Sequence, residues 1–258
     1  MGQREVMAVD PPAATTPLLA ARADFVFGQV WNRPGLSRRD RRIVTLACVC
    51  ASDAVDEIND HMYAALASGD LTLDELLEFV LHFAVYCGWP KGSQAEAAVR
   101  TQAARLAAER GADTDVARPD LPVKTLGSAD PEERLAQGEQ CFVEINLLPA
   151  PPRDSPYFQA GILGFVFGHV WRRPGLGRRE RRLITVACVG VSDAIGPIYS
   201  HVGSALESGD LSAAEMNEVI LQFAAYSGFS KGRVLQQAAD DTLRRLDAAK
   251  EGTHNDGA

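Results

Sequence analysis

The sequence lacks an excess of positive charge, since 26 Lys and Arg stand against 34 Asp and Glu for a net charge of −8 in 258 residues. An acidic surface repels phosphate backbones, so we expect no nucleic-acid partner. It also lacks any apolar run near the roughly 20 residues that a membrane span requires, so we expect no membrane association. The first 19 residues include three prolines and three charged side chains and lack the apolar stretch of a secretory signal.

Cysteine and histidine are scarce, with five of each. The cysteines form no C-x-x-C pair, which predicts reduced thiols in a cytoplasmic protein. The histidines form no H-x-x-x-H or H-E-x-x-H motif, and no glycine-rich loop for a phosphate or dinucleotide is present. We therefore expect no metal site and no cofactor. Cys48 and Cys188 fall on predicted buried helix faces, which favours inert core thiols.

What the sequence does contain is an internal repeat at an offset of 140 residues. The segment FVFGQVWNRPGLSRRDRRIVTLACV from Phe25 returns as FVFGHVWRRPGLGRRERRLITVACV from Phe165, and the match continues without a gap to Gly92 and Gly232. More than half of the aligned positions are identical. Two copies with so long a period indicate a duplicated domain rather than a solenoid.

The repeat and the regions rich in Pro, Gly and Asp divide the chain. We expect a flexible tail at 1–22, a first repeat at 23–110, a linker at 111–156, a second repeat at 157–250 and a tail at 251–258. Within the linker, Asp130 followed by a proline predicts one short helix, which ends near Cys141.

Each repeat shows helical periodicity and no convincing strand alternation. Ser37-x-x-Asp40 and Thr72-x-x-Glu75 predict helix starts, Ser52-Asp53 predicts the cap of a helix between them, and glycines follow the predicted helix ends. Residues 89–92 predict a turn before a fourth, alanine-rich helix. The fold class that this predicts is all-α, built as a tandem duplication of a helical bundle.

The motif RPGLxRR(D/E)RR occurs in both repeats, at Arg33–Arg42 and Arg173–Arg182. Four cations at a helix N-terminus oppose the helix dipole unless carboxylates meet them. Arg41 lies on the apolar stripe of its helix, and a buried arginine needs an anionic partner. Three interpretations stay open for Arg41: a structural salt bridge, the binding of a substrate carboxylate, or plain exposure.

Glu57 and His61 are four residues apart and therefore share one face of a helix. A carboxylate beside an imidazole is typical of proton-transfer sites, although surface pairs of this kind are common. In the second repeat the histidine returns as His201, but the glutamate returns as Pro197. If the pair is catalytic, the first repeat has kept the chemistry and the second has lost it.

His82 and Tyr86 form another pair with this spacing, and they return as Gln222 and Tyr226. Both side chains are candidates for a pocket shared with His61. A core tyrosine whose hydroxyl bonds to the backbone is an equally good interpretation.

The segments GQVWNRPGLSRRDRRIVTLA, EINDH and ALASGDLTLDELLEFVLHFAVYCGWP together resemble the carboxymuconolactone decarboxylase family, within the wider superfamily of alkylhydroperoxidase-like helical proteins. The resemblance covers well over half of the chain. It implies an all-α fold in which two repeats build a pocket, and the hexamers of single-copy relatives imply a homotrimer with six repeats here.

The peroxidase branch of that superfamily uses C-x-x-C with a histidine four residues after the second cysteine. The matching positions are Ala54 and Glu57 in the first repeat and Ala194 and Pro197 in the second, so both thiols are missing. The decarboxylase branch carries Glu and His at these places, as Glu57 and His61 do here, and its arginine matches Arg41.

These observations predict a cofactor-independent enzyme that decarboxylates a small anionic lactone or related oxygenated ring compound. His61, Glu57 and Tyr86 are the predicted catalytic residues, and the predicted substrate-binding residues are Arg41, His82, His201 and Tyr226. Two alternatives are a biosynthetic cyclase, dehydratase or isomerase on the same scaffold, and a non-catalytic binding or assembly protein.

Overall fold

Helices and their connecting turns make up the part of the chain that the structure describes, residues 2–111 and 127–255 of a computed structural model, and this part contains no strand. The helices before the linker are α1 (Gln3–Met7), α2 (Pro17–Ala21), α3 (Arg38–Ala51), α4 (Val55–Ala67), α5 (Leu73–Cys87) and α6 (Trp89–Glu109). Those after it are α7 (Pro131–Asn146), α8 (Arg178–Val191), α9 (Ile195–Glu207), α10 (Ala213–Ser227) and α11 (Phe229–Asn255). The all-α prediction and the tandem duplication are confirmed.

The predicted helix starts at Ser37 and Thr72 are confirmed by hydrogen bonds. The Ser37 hydroxyl accepts the Asp40 N–H at 3.0 Å. Thr72 and Glu75 form a full capping box, in which each side chain accepts the backbone N–H of the other residue. Two of the four donors that a helix N-terminus leaves free are thereby satisfied.

Two local predictions differ from the structure. Helix α4 begins after Ala54 with no side-chain cap, because Asp53 adopts a left-handed φ of 60° and turns its carboxylate toward Lys91 at 2.7 Å instead. Residues 89–92 form the first turn of α6 rather than a separate turn, because a proline in the first helical turn removes no intrahelical hydrogen bond.

The predicted tail at 1–22 contains helices α1 and α2, and Val6 and Met7 are buried against the first repeat. Arg42 donates to the Val6 carbonyl, and the matching Arg182 donates to the Ile145 carbonyl at the end of α7. Helices α1 and α7 therefore take equivalent places, and the structural repeat extends beyond the sequence repeat on its N-terminal side.

The predicted linker helix is confirmed as α7, and Asp130 caps it by accepting the Glu132 N–H at 2.9 Å. It continues past Cys141 to Asn146, so it is longer than predicted. Residues 112–126 of the predicted linker lie outside the described residues.

The two repeats share one hydrophobic core. Helix α3 packs against α8, α10 packs against α3, and α5 packs against α8. The largest cluster of buried apolar side chains contains residues of both repeats, including Cys48 and Cys188, which confirms them as core residues. Burial of one large apolar side chain contributes about 1.5–3 kcal/mol to stability. The core therefore holds the repeats in a fixed relation, and each repeat supplies a wall to the other.

Candidate active site

Because the repeats interlock, each of two equivalent cavities takes its walls from both of them. The first cavity, of about 420 Å³, lies between the N-terminal part of α4 and the C-terminal part of α10. Its lining residues are Leu18, Leu19, Ala21, Arg22, Phe25, Val26, Val49, Ser52, Glu57, Ala225, Tyr226 and Phe229. Most of these residues are apolar. The ionisable ones are Arg22, Glu57 and Tyr226.

Arg22 and Glu57 form a two-pronged ion pair at the wall of this cavity. The Arg22 Nη1 atom donates to Glu57 Oε1 at 2.8 Å, and Nη2 donates to Oε2 at 3.4 Å. Arg22 opens a π-helical segment, Arg22–Phe27, which also supplies Phe25 and Val26 to the lining. Such π-helical turns are frequent at functional sites. Both side chains keep partial exposure, 27% for Arg22 and 37% for Glu57, so a ligand can reach them.

His61 lies fully buried beneath Glu57. The Nη1 atom of Arg42 lies 3.3 Å from His61 Nδ1. A guanidinium donates and cannot accept, so Nδ1 is the acceptor and the hydrogen of the neutral ring is on Nε2. That Nε2 atom has no hydrogen-bond partner in the structure and lies 3.8 Å from Glu57 Oε2, just beyond hydrogen-bond distance.

The surroundings of His61 also fix its charge. Burial first, and then the positive charges of Arg42 and Arg22, hold the pKa of His61 well below its ordinary value of 6.5. The imidazole is therefore neutral at neutral pH and presents an Nε2–H toward Glu57. This arrangement suits donation of a hydrogen bond to the carboxylate, with Arg42 setting the tautomer from behind.

Tyr226 completes the site from the second repeat. Its ring contacts the ring of His61 edge-on, with a centroid distance of 5.4 Å. The Trp31 indole donates to the Tyr226 hydroxyl oxygen at 2.9 Å, which leaves the O–H of the phenol free to donate. Burial raises the pKa of Tyr226 to about 12, so the phenol stays protonated at neutral pH. Trp31 therefore orients this hydroxyl as well as packing.

The second cavity, of about 430 Å³, is built by the matching residues with the roles of the repeats exchanged. Tyr86 of the first repeat contacts His201 of the second edge-on at 5.8 Å, and Trp171 donates to the Tyr86 hydroxyl at 2.9 Å. Pro197 stands in place of Glu57, and the position that matches Arg22 is Ile162. The charged pair of the first cavity is therefore absent from the lining of the second.

The predicted site residues therefore do not all lie at one site. Glu57, His61 and Tyr226 come together at the first cavity, whereas Tyr86 and His201 come together at the second. His82 lies fully buried between the repeats, where Nε2 pairs with Thr185 Oγ1 at 2.8 Å. It lines neither cavity.

Arg41 lies in an ion pair that joins the repeats. Its Nη2 atom donates to Glu218 Oε2 at 2.9 Å and to the Arg33 carbonyl at 2.9 Å, and its side chain is fully buried. Arg181 makes the matching pair with Glu78. This geometry corresponds to the salt-bridge interpretation of Arg41, within one chain. A role of Arg41 in substrate binding stays a prediction, and its hydrogen bonds go to protein groups rather than to either cavity.

The other motif arginines also meet carboxylates, as the helix-dipole argument requires. Arg38 and Arg42 both pair with Asp70, at 2.6 and 3.1 Å, and Arg39 pairs with Glu75 at 2.7 Å. These ion pairs fix the arginine-rich first turn of α3 and thereby place Arg42 behind His61.

Arg22 lines the first cavity although its position falls at the boundary of the predicted tail and in no predicted motif. Comparison of the two repeats nevertheless indicates that Arg22 belongs to the site. In the repeat alignment Arg22 corresponds to Ile162, which lies in an apolar segment. Glu57, which lines the same cavity as Arg22, corresponds to Pro197. A cation and an anion that are lost together between copies indicate that they form a pair.

Comparison with known proteins agrees with the duplicated architecture. The sequence matches the Carboxymuconolactone decarboxylase family twice, over residues 16–101 and 156–241. The fold and this double match define a two-copy, all-helical protein. The chain belongs to the Carboxymuconolactone decarboxylase family.

Two relatives are decarboxylases by name. The chain is 42% identical over 71 residues to the 4-carboxymuconolactone decarboxylase of Acinetobacter baylyi, which is 28% of this chain and 52% of that protein. It is 42% identical over 79 residues to the nitrosuccinic acid decarboxylase of Metarhizium robertsii, which is 31% of this chain and 53% of that protein. The chain spans about half the length of these relatives.

Over 2–111 and 127–255, no group of three or more His, Cys, Asp or Glu side chains is placed to hold a metal ion. No helix in the same ranges is long and apolar enough to cross a membrane.

Proposed function

We propose that the protein is a cofactor-independent decarboxylase whose first cavity acts on a small carboxylic acid that carries an electron-withdrawing group. The observation that carries the proposal is the pairing of Arg22 with Glu57 at the wall of an apolar cavity, backed by His61 and faced by Tyr226. The names of the two relatives fit this substrate class, since a lactone carbonyl and a nitro group both accept electrons.

The first step is the loss of CO2. The bond between the carboxylate carbon and the adjacent carbon breaks, and its electron pair moves into the carbonyl or nitro group, which gains a negative charge on oxygen. Arg22 and the free O–H of Tyr226 are the donors that stabilise this oxygen. The apolar lining favours the step, because the localised carboxylate charge is poorly solvated there and becomes delocalised over the electron-withdrawing group as neutral CO2 departs.

The second step returns a proton to the carbon that has lost CO2. Glu57 lines the cavity and is partly exposed, so its carboxyl group can carry a proton from solvent to that carbon. His61 acts through Glu57 as a positioning residue, since its Nε2–H points toward the carboxylate and its Nδ1 is held by Arg42. The net change is the consumption of one proton and the release of one CO2.

The test is CO2 release from 4-carboxymuconolactone and from nitrosuccinate by the purified protein. We expect turnover of at least one of these acids without added metal or nucleotide, and the same rate after treatment with EDTA. Activity that EDTA abolishes and a divalent ion restores would contradict the cofactor-independent mechanism. Tight binding of both acids without CO2 release would instead support a binding protein on this scaffold.

A further inference from the structure

The second cavity is as large as the first but has a different chemical character. Aromatic and aliphatic side chains dominate its lining, and its polar lining residues are Tyr86, Asn146, Tyr157, Ser192, Ser200 and His201. None of its lining residues carries a charged side chain. A cavity of this size without a charge is suited to a small uncharged molecule, because an ion placed there would lose hydration without gaining a counter-ion.

A single residue difference changes the state of the histidine in this cavity. In the first repeat Arg42 points its Nη1 atom at His61 Nδ1. In the second repeat, position 204 is serine where the first repeat has Ala64, and the Ser204 hydroxyl takes the Nη1–H of Arg182 at 2.9 Å. His201 Nδ1 is consequently buried without a hydrogen-bond partner.

The tautomer of His201 is therefore not fixed by a hydrogen bond to Nδ1, in contrast to that of His61. No arginine fixes its tautomer, so its ring can either donate or accept a hydrogen bond. Burial first, and then the charge of Arg182, lower the pKa of His201 to about 3, so the ring is neutral at neutral pH. The remaining guanidinium donors of Arg182 are directed to Asp210 at 3.1 Å and to the Ile145 carbonyl at 2.7 Å.

We propose that the second cavity binds an uncharged, hydroxylated ring compound as a non-catalytic site of its own. A hydroxyl group can both donate and accept, which matches a histidine that lacks a fixed tautomer and the nearby Ser200 hydroxyl. Phe142 and Phe158 supply flat apolar walls for a ring. This inference is independent of the proposed reaction, because it concerns residues that differ from those of the first cavity.

The probe for the test is 4-fluorophenol, which is uncharged at pH 7, with 4-fluorobenzoate as a related fluorinated ring that is an anion at pH 7. Binding is followed by fluorine NMR on the full-length protein. Val85 and Ala225 are matching positions that line the second and first cavities respectively. A tryptophan at either position fills the cavity that it lines.

We expect 4-fluorophenol to bind the wild-type protein and the Ala225→Trp variant, and to lose at least about tenfold in affinity in Val85→Trp. The double variant Ile162→Arg/Pro197→Glu places the charged pair of the first cavity in the second cavity. Its affinity for 4-fluorophenol should also fall at least about tenfold. Circular dichroism confirms that each variant is folded. The proposal is overturned if 4-fluorophenol does not bind the wild type at millimolar concentration. It is also overturned if binding survives Val85→Trp, if binding is lost in Ala225→Trp, or if 4-fluorobenzoate binds equally well at the second cavity.

Discussion

The buried histidine between the repeats, His82, offers a quantitative test of the structure. Its Nε2 atom pairs with Thr185 Oγ1 at 2.8 Å, and the Nη1 atom of Arg181 lies 3.3 Å from its Nδ1. Burial first, then the charges of Arg181 and His201, hold the pKa of His82 well below 6.5. The folded protein therefore keeps this ring neutral at pH values at which the unfolded chain protonates it.

The sign of the effect follows from proton binding. Because the unfolded chain binds a proton that the folded protein excludes, the free energy of unfolding falls as the pH falls below 6.5. Well below pH 6.5, where the unfolded chain is fully protonated at this position, one such group lowers the free energy of unfolding by about 1.4 kcal/mol per pH unit. Between pH 7.5 and pH 5.5, where protonation is only partial for most of the range, the total change is also about 1.4 kcal/mol.

The second repeat supplies the matched substitution. Gln222 occupies the position of His82 there and makes equivalent hydrogen bonds, to Thr45 at 2.9 Å and from Arg41 at 3.3 Å. We expect His82→Gln to match the wild type in stability at pH 7.5 and to exceed it by about 1.4 kcal/mol at pH 5.5.

Urea unfolding of both proteins at the two pH values measures this difference. The contributions of the other titrating groups are common to both proteins and cancel in the comparison. A pH dependence that is the same in both proteins to within about 0.5 kcal/mol would contradict this prediction, because it would mean that His82 is protonated in the folded state.

Three further predictions concern the first cavity and the assembly. Glu57→Ala and His61→Ala should each lower turnover by about 100-fold or more, whereas His201→Ala should change it only a few fold; the opposite pattern in kcat would reverse the assignment of the working repeat. Arg22→Ile, which installs the residue of the second repeat, should raise KM and lower kcat together by at least about tenfold each, and unchanged steady-state constants would exclude Arg22 from the site. The exposed apolar side chains Leu18, Tyr157, Trp89 and Phe229 and the resemblance to hexameric relatives predict a homotrimer, and a monomeric mass in light scattering at micromolar concentration would contradict it.

The role of His61 as a positioning residue has a separate signature. Glutamine at position 61 can still accept from Arg42 and donate toward Glu57, so His61→Gln should recover part of the activity that His61→Ala loses. The pH profile of kcat in the wild type should show no limb near pH 6.5, because the pKa of His61 lies well below that value. A limb near 6.5 that disappears in His61→Gln would show that the imidazole itself transfers the proton.

Local sequence determined most of the fold. Caps such as Ser37 and Thr72 and the glycine after α5 act within a few residues, so spacing alone located these helix ends. The 140-residue repeat established the duplication, and the replacement of Glu57 by Pro197 predicted that the two copies differ in function if the Glu57–His61 pair is catalytic.

Tertiary structure alone decided which residues share a site. The interlocking of the repeats brings Tyr226, not Tyr86, to His61, and this depends on packing between residues more than 160 positions apart, which periodicity does not report. The same packing directs Arg41 to Glu218 and Arg42 to His61, although the two arginines are adjacent in sequence. Neighbouring positions on a helix point about 100° apart, and only the surrounding helices determine which of them faces a cavity and which an ion pair.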